Sequence, residues 1–211
     1  MAVPALGMML ATLLFSGCYV SSDIYTQPAH NLRGKNMLVL PAGTPEGVPR
    51  ELQEEMLAKV ETALKGSPWL GNVITREDFP SHPGHTPKIG SDYNLYASTL
   101  ALTDMPSPEE GYRLAKALDI QLLTSIQISY VACPTCEEGN QLWFTGAVFD
   151  GMEGDVVFRV YYQIPIDGPE EAREAAEEAT EDYLDDLMAA FSPKWHRERF
   201  EALRAGEKKK G

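Results

Sequence analysis

Residues 147–158 read AVFDGMEGDVVF, and this stretch decides the fold because it describes the tip of a β-hairpin. Gly151 and Gly154 lie between two apolar runs, and glycine supplies the backbone angles that a tight turn needs. The flanking segments 141–149 and 155–166 are predicted to be the two strands. In the second strand, apolar residues alternate with partly polar ones, so one face should be buried and the other partly exposed to water.

Upstream of the hairpin, the chain alternates between strand and helix patterns. An apolar run at 37–40 predicts a buried strand, the segment 49–65 an amphipathic helix, and 72–75 a second strand. The apolar residues of the helix recur at helical spacing: Leu52, Met56, Val60 and Leu64. A strand, a helix and a strand at this spacing predict a βαβ unit with a right-handed crossover.

Two more helices and a third strand are predicted before the hairpin, and a long helix after it. The segment 91–103 favours a helix, and Ser107 with Glu110 forms a capping-box pattern that begins the next one. The inner face of that second helix is predicted to carry Tyr112, Ala115 and Leu118. A strand follows at 119–131, and the final helix, 168–191, has a strongly acidic outer face.

The sequence therefore predicts one α/β domain of two or three layers with a mixed sheet, in the order β-α-β-α-α-β-β-β-α. We assign this domain to residues 36–191 and read 18–35 as a flexible tether. Residues 192–211 are predicted to form a short C-terminal helix and a basic tail. Residues 1–17 are predicted to be a signal peptide, because their apolar run, 5–15, has signal-peptide length and is too short to span a bilayer.

Residues 14–18, LFSGC, resemble the lipobox of bacterial lipoproteins. In a lipobox, the cysteine sulfur receives a diacylglyceryl group and cleavage makes this cysteine the first residue of the mature protein. The resemblance predicts lipidation of Cys18, with incorporation of palmitate, and more than one acyl chain anchors a protein stably. Tyr19 replaces the Asp that retains such proteins in the inner membrane, so we expect an outer-membrane protein facing the periplasm. The alternative is an ordinary secretory signal peptide with an incidental cysteine.

Cys133 and Cys136 are the other two of the three cysteines in the chain. In an oxidising envelope, two thiols this close together should not stay free. Strand patterns flank them and Pro134 suits a turn, so a structural disulfide at a hairpin tip is the favoured interpretation. Two alternatives remain: a redox-active pair of the thioredoxin type, which would make the protein an envelope thiol-disulfide oxidoreductase, and half of a zinc site.

Metal binding, hydrolysis and nucleic-acid binding find little support in the sequence. His82 and His85 lie in a loop rich in proline and glycine and are weak metal candidates, because no Cys or carboxylate accompanies them at fixed spacing. We expect no cofactor. Neither a Gly-x-Ser-x-Gly nor a His-Glu-x-x-His motif is present, so we predict no catalytic residue. A net charge of -13 argues against nucleic acid as a partner.

Four short motifs resemble the periplasmic domains of a group of envelope proteins. The motifs are LVLP at 38–41, TREDF at 75–79, LAKALD at 114–119 and the hairpin tip at 147–158. The group comprises curli-secretion lipoproteins, lipoproteins that activate penicillin-binding proteins, exopolysaccharide-export lipoproteins and the N-terminal domain of TolB. The resemblance covers residues 36–190. It implies an α/β fold and a non-enzymatic, membrane-anchored module that binds, assembles or activates a cell-envelope machine together with an envelope protein partner.

Overall fold

The computed structural model describes residues 21–22, 25–26, 32–43, 47–132 and 139–190. This part of the chain forms seven strands and four α-helices. In chain order they are β1 (Ser21–Ser22), β2 (Tyr25–Thr26), β3 (Met37–Val39), α1 (Arg50–Lys65), β4 (Val73–Ile74), α2 (Pro87–Thr103), α3 (Pro108–Leu118), β5 (Leu122–Val131), β6 (Asn140–Asp150), β7 (Val156–Ile166) and α4 (Ala172–Ala190). From β3 to α4, the predicted order and the α/β class are confirmed.

All seven strands belong to one mixed sheet. Its order is β1-β7-β6-β5-β3-β4, and β2 also pairs with β7. β3 is parallel to β4 and β5, whereas the other pairs are antiparallel. β3 has only 3 residues and pairs with Leu122, Leu123 and Thr124 at the start of β5, which has 10. The long strands β5, β6 and β7 therefore extend well beyond the short parallel part.

Helices pack on both faces of the sheet, which gives three layers. Because side chains alternate along a strand, Met37 and Val39 enter one core, with α1 and α4, while Leu38 and Leu40 enter the other, with α2 and α3. We call the face packed by α1 and α4 the covered face. It extends along the whole of β5, β6 and β7.

Tyr183 of α4 joins that helix to the covered face. It is fully buried, and its hydroxyl lies 2.8 Å from Oγ1 of Thr124. Thr124 donates its own hydrogen to the carbonyl of Ala147 at 3.0 Å, and burial raises the pKa of Tyr183, so the tyrosine hydroxyl stays protonated and is the donor. Gly146 makes room for the ring, because a Cβ there would overlap it. Two more rings flank it: Phe144 and Phe158.

Two details of α3 differ from the sequence prediction. Tyr112 is 46% exposed and not on the inner face, where Gly111, Leu114, Ala115 and Leu118 lie instead. Gly111 sets this rotation, since a Cβ there would approach the Tyr96 ring to 3.1 Å. The capping box is also not formed as predicted, because the Ser107 hydroxyl donates to the Glu110 carboxylate and accepts no backbone hydrogen bond.

Part of the predicted tether, 18–35, belongs to the sheet. Ser21 pairs with Gln163 and Tyr25 with Arg159, so β1 and β2 together border β7. Leu32 is also buried, at 4% exposure. The sheet therefore includes part of the segment predicted to be a tether, and strands of two residues are too short to show a sequence period. The predicted segments 1–17 and 192–211 lie outside the described residues.

Candidate functional site

The second face of β5, β6 and β7 is only partly covered, and its uncovered part is the candidate site. Adjacent residues form two rows across the strands: Gln127, Thr145 and Tyr161, then Ser129, Trp143 and Gln163. Gln141 and Arg159 adjoin these rows, and we call the eight residues together the open face. The core under α2 and α3 includes Leu123, Ala147 and Phe149 of these strands but none of the eight. All eight side chains are half-buried.

Trp143 and Tyr161 form an aromatic pair at the centre of the open face. Their ring centroids are 5.9 Å apart and the rings meet at 69°. The indole Nε1 of Trp143 donates to Oε1 of Gln141 at 2.7 Å, and Nε2 of Gln163 donates to the Tyr161 hydroxyl at 3.1 Å. Neighbouring amides thus hold both rings in place. Each ring presents an apolar body and a polar group, as interface aromatics do.

A groove of about 470 Å³ borders the open face. Its walls are the loop after β3, at 41–43, and one side of α2, with Asn94, Ala97, Ser98, Ala101 and Leu102. The loop and the helix approach closely because their residues are small: a Cβ on Gly43 would lie 3.0 Å from Ala101 Cβ and 3.6 Å from Gln127 Cδ. Since Gln127 belongs to the open face, the groove and the open face are continuous.

Side-chain contacts at both ends fix α2 beside the open face. At its N-terminus, Thr86 accepts the Ile89 amide at 3.2 Å. The Tyr93 hydroxyl donates to the Val39 carbonyl at 2.9 Å, and burial raises the pKa of Tyr93, which keeps it a donor. After the last turn, Arg159 donates to the Asp104 carboxylate and to its carbonyl, each at 3.0 Å. This pair neutralises the one charge of the open face.

The site is a nearly uncharged surface on a strongly charged protein. From Tyr93 to Thr103, α2 has no charged side chain, although the chain contains 31 acidic and 18 basic residues. Three apolar side chains on and after α2 are exposed: Leu95 by 51%, Leu102 by 86% and Met105 by 66%. By contrast, α4 on the covered side carries seven acidic residues, and Arg173 is its one base. Burial and the neighbouring carboxylates raise the pKa of Asp182 there.

The cysteines predicted as site residues lie outside the described residues. Cys18 precedes β1, and Cys133 and Cys136 belong to the segment between β5 and β6. These strands pair as far as Val131 and Gln141, so the segment connects the two strands of an antiparallel pair. The lipidation and the disulfide stay predictions.

His82 and His85 follow a short 3₁₀ turn, Phe79–Ser81, and make local contacts. Nδ1 of His82 accepts the Gly84 amide at 3.1 Å. The His85 ring meets the Phe79 ring edge-on, with centroids 4.9 Å apart. Within the described residues, no group of three His, Cys, Asp or Glu side chains is placed to hold a metal ion.

Sequence reasoning did not identify the open face as a site, although its signal was present. Gln127 and Ser129 alternate with buried isoleucines in β5, and Tyr161 and Gln163 occupy the same kind of position in β7. An alternating pattern predicts which side chains leave the core. It does not predict whether a helix packs over them, because that depends on contacts distant in sequence.

No protein-family model matches the chain, and no curated protein matches it either. Solved structures do match. A PelC dodecamer from Paraburkholderia phytofirmans has 12% identity, with 74% of this chain and 89% of that chain covered and a TM-score of 0.39. The lipoprotein GNA1162 from Neisseria meningitidis has 11% identity, with 72% and 96% covered and a TM-score of 0.40. The LpoB C-terminal domain from Escherichia coli has 9% identity, with 63% and 83% covered and a TM-score of 0.37.

Of these three solved structures, GNA1162 is the one described as a lipoprotein. Among the helices that the structure describes, none is both long and apolar enough to cross a membrane.

Proposed function

We propose that the protein is a lipid-anchored, non-enzymatic binding module of the bacterial cell envelope. Cys18 holds it in the outer membrane, and the domain faces the periplasm. The observation that carries this proposal is the open face with its adjoining groove. It is an ordered surface of rings and hydrogen-bonding groups, nearly uncharged because Arg159 is paired with Asp104, on a sheet that is packed firmly from behind.

The chemistry of this surface favours binding over catalysis. Covalent catalysis needs a nucleophile with a base in hydrogen-bond reach, and the open face supplies amides, hydroxyls, aromatic rings and the guanidinium of Arg159, which Asp104 already pairs. The resemblance of residues 36–190 to domains that assemble or activate envelope machines supports an envelope protein as a partner. In this proposal Cys133 and Cys136 form a disulfide that closes the connection between β5 and β6.

Labelling with radioactive palmitate tests the anchor. Wild-type protein should incorporate the label and sediment with the outer membrane, whereas Cys18→Ser should lose the label and leave that fraction. Cys133→Ser is the matched control and should keep both the palmitate label and the place in the outer-membrane fraction. An unlabelled wild-type protein, or a Cys18→Ser variant that stays in the outer membrane, would overturn the anchoring.

Insulin reduction tests the thiol-oxidoreductase alternative. We expect the wild type, Cys133→Ser and Cys136→Ser to leave the slow reduction of insulin by dithiothreitol equally unaccelerated. Acceleration by the wild type that disappears in Cys133→Ser would show that the pair is redox-active, and the proposal of a non-enzymatic module would then fail.

A further inference from the structure

We infer that the open face, together with the exposed side of α2, lies against the lipid surface that holds the Cys18 anchor. This inference rests on the proposed function, because it needs the anchor. It identifies the lipid bilayer itself as what this nearly uncharged surface contacts. Three features carry it: the short connection to Cys18, the side chains of the surface, and the distribution of charge.

The connection from the anchor to the open face is short. β1 begins at Ser21, three residues after Cys18, and Ser21 pairs with Gln163 of the open face. Three extended residues span at most about 10 Å. Paired strands lie about 5 Å apart, so the β7 edge of the open face stays within about 15 Å of the Cys18 backbone, which is less than half the length of an 11-residue strand such as β7.

The side chains of this surface suit the headgroup layer of a bilayer. Trp and Tyr are enriched where a membrane meets water, because each ring is apolar and carries one polar group. Trp143 and Tyr161 provide two such rings, and the glutamines and Ser129 beside them can hydrogen-bond to headgroups. Leu102 and Met105, at 86% and 66% exposure, project from the adjoining helix end and can enter the acyl boundary.

Charge decides which face of the sheet turns toward the lipid. Envelope lipids are neutral or anionic, so a surface rich in carboxylates is repelled from them. The outer side of α4 carries seven acidic residues, whereas on the open face Arg159 is balanced by Asp104. The domain therefore turns its acidic helix toward the periplasm, where an envelope protein partner can reach it.

Quenching of tryptophan fluorescence by brominated lipid tests this orientation. The full lipidated chain is reconstituted in vesicles of phosphatidylethanolamine and phosphatidylglycerol, with or without phosphatidylcholine brominated in its acyl chains. Trp69→Phe with Trp195→Phe leaves Trp143 as the one fluorophore. Trp143→Phe with Trp195→Phe leaves Trp69, which is 38% exposed, stacks on Arg33 and precedes β4, on the far edge of the sheet from β1.

Bromine should quench Trp143 by about half or more, because an interfacial ring lies next to the acyl boundary, and should leave Trp69 nearly unchanged. Leu102→Glu should weaken the quenching of Trp143 by adding a charge to the contact. Met152 is also an exposed apolar side chain, but it lies in the turn between β6 and β7, away from Trp143. Met152→Glu is therefore the matched control and should leave the quenching of Trp143 unaltered. Circular dichroism shows whether each variant is folded.

Equal quenching of the two tryptophans, or an unquenched Trp143 in protein that carries palmitate, would overturn the orientation while leaving the lipid-anchored module intact. Protection of Trp143 that rises with protein concentration would identify a second copy as the occupant and would also overturn it. Absence of palmitate would remove the anchor, and then both proposals fail together.

Discussion

The covered face and the open face belong to the same three strands, yet their side chains have different roles. Phe144 points to the covered face and is fully buried, while the next residue back, Trp143, points to the open face and is half-buried. The covered face is closed by α1 and α4, whereas α2 and α3 pack on only one end of the second face and leave the open face uncovered. One sheet can therefore stabilise the fold on one side and make contacts on the other.

Removing a large side chain from each face should give the largest difference in the free energy of unfolding between two variants. Tyr183→Ala leaves a cavity against Gly146 on the covered face and should lower the free energy of unfolding by about 3–5 kcal/mol. Trp143→Ala removes an even larger ring from the open face, where water can fill the space. Urea unfolding followed by circular dichroism measures both, and equal losses would contradict the division between the faces.

Removing a tyrosine hydroxyl from each face should give an intermediate difference in the free energy of unfolding. Tyr183→Phe deletes the hydrogen bond to Thr124 in the core and should cost about 1 kcal/mol. Tyr161→Phe deletes an acceptor that solvent can replace, so its effect should stay within about 0.5 kcal/mol. Chemical denaturation again measures both. A larger cost at Tyr161 than at Tyr183 would show that the open face contributes to stability as a core does.

Trp143→Ala should have a small effect on stability, below about 1 kcal/mol, because a cross-strand aromatic pair contributes about that much. The matched variant is Phe144→Ala, one residue along the strand and on the covered face, whose cost should be several-fold larger. Thermal unfolding of the full chain measures the pair. If Trp143→Ala unfolds the domain, the open face is part of its core.

Substitutions that remove a single charge should give the smallest changes in stability and the clearest dependence on pH. In the fold, partial desolvation and the carboxylates of Asp186, Asp185 and Glu181 raise the pKa of Asp182, so folding favours its protonated form. Stability should therefore increase as pH falls through this raised pKa. Asp182→Asn should stabilise the protein at neutral pH by a few tenths of a kcal/mol, since it removes a like-charge i,i+4 pair on an exposed helix side.

Asp78 is the control, because the fold lowers its pKa whereas it raises that of Asp182. A hydrogen bond from Lys65 and another from the Thr75 hydroxyl lower its pKa to about 2. Its contribution is present above the ordinary pKa of an aspartate and is lost as pH falls toward 2, so Asp78→Asn should destabilise the protein slightly at neutral pH. Urea unfolding at several pH values separates the effect of Asp182→Asn on stability from that of Asp78→Asn. A loss of stability in Asp182→Asn at neutral pH would contradict the repulsion on α4.

Local periodicity was enough to predict most of the fold. The alternation in β5 and β7 and the helical spacing in α1 record which side of each element is buried, so the order of elements could be derived from the sequence. Tyr112 was placed wrongly because the rotation of α3 depends on Gly111 fitting under Tyr96, a contact between two helices. β1 and β2 were missed because their pairing with β7 is more than 100 residues away in sequence.

The candidate site was less predictable than the fold. Motif spacing drew attention to Cys133, Cys136, His82 and His85, because metal and thiol sites have local signatures. The open face has no such signature, since its residues come from three strands and are ordinary amides, hydroxyls and rings with one arginine. Its defining property is that α2 does not extend over the end of the strands at Val131, Asn140 and Ile166. That property depends on how long α2 is relative to strands that are distant from it in sequence.

The pairing of β1 and β2 with β7 has a further consequence, for solubility. β7 has 11 residues and would otherwise be the last strand of the sheet, with a row of unpaired backbone groups. Long bare edges of this kind template pairing between chains and lead to aggregation. A shortened protein that begins at residue 36, where the domain was first predicted to start, would lose that cover. The residues of β1 and β2 thus shield the sheet from other copies of itself.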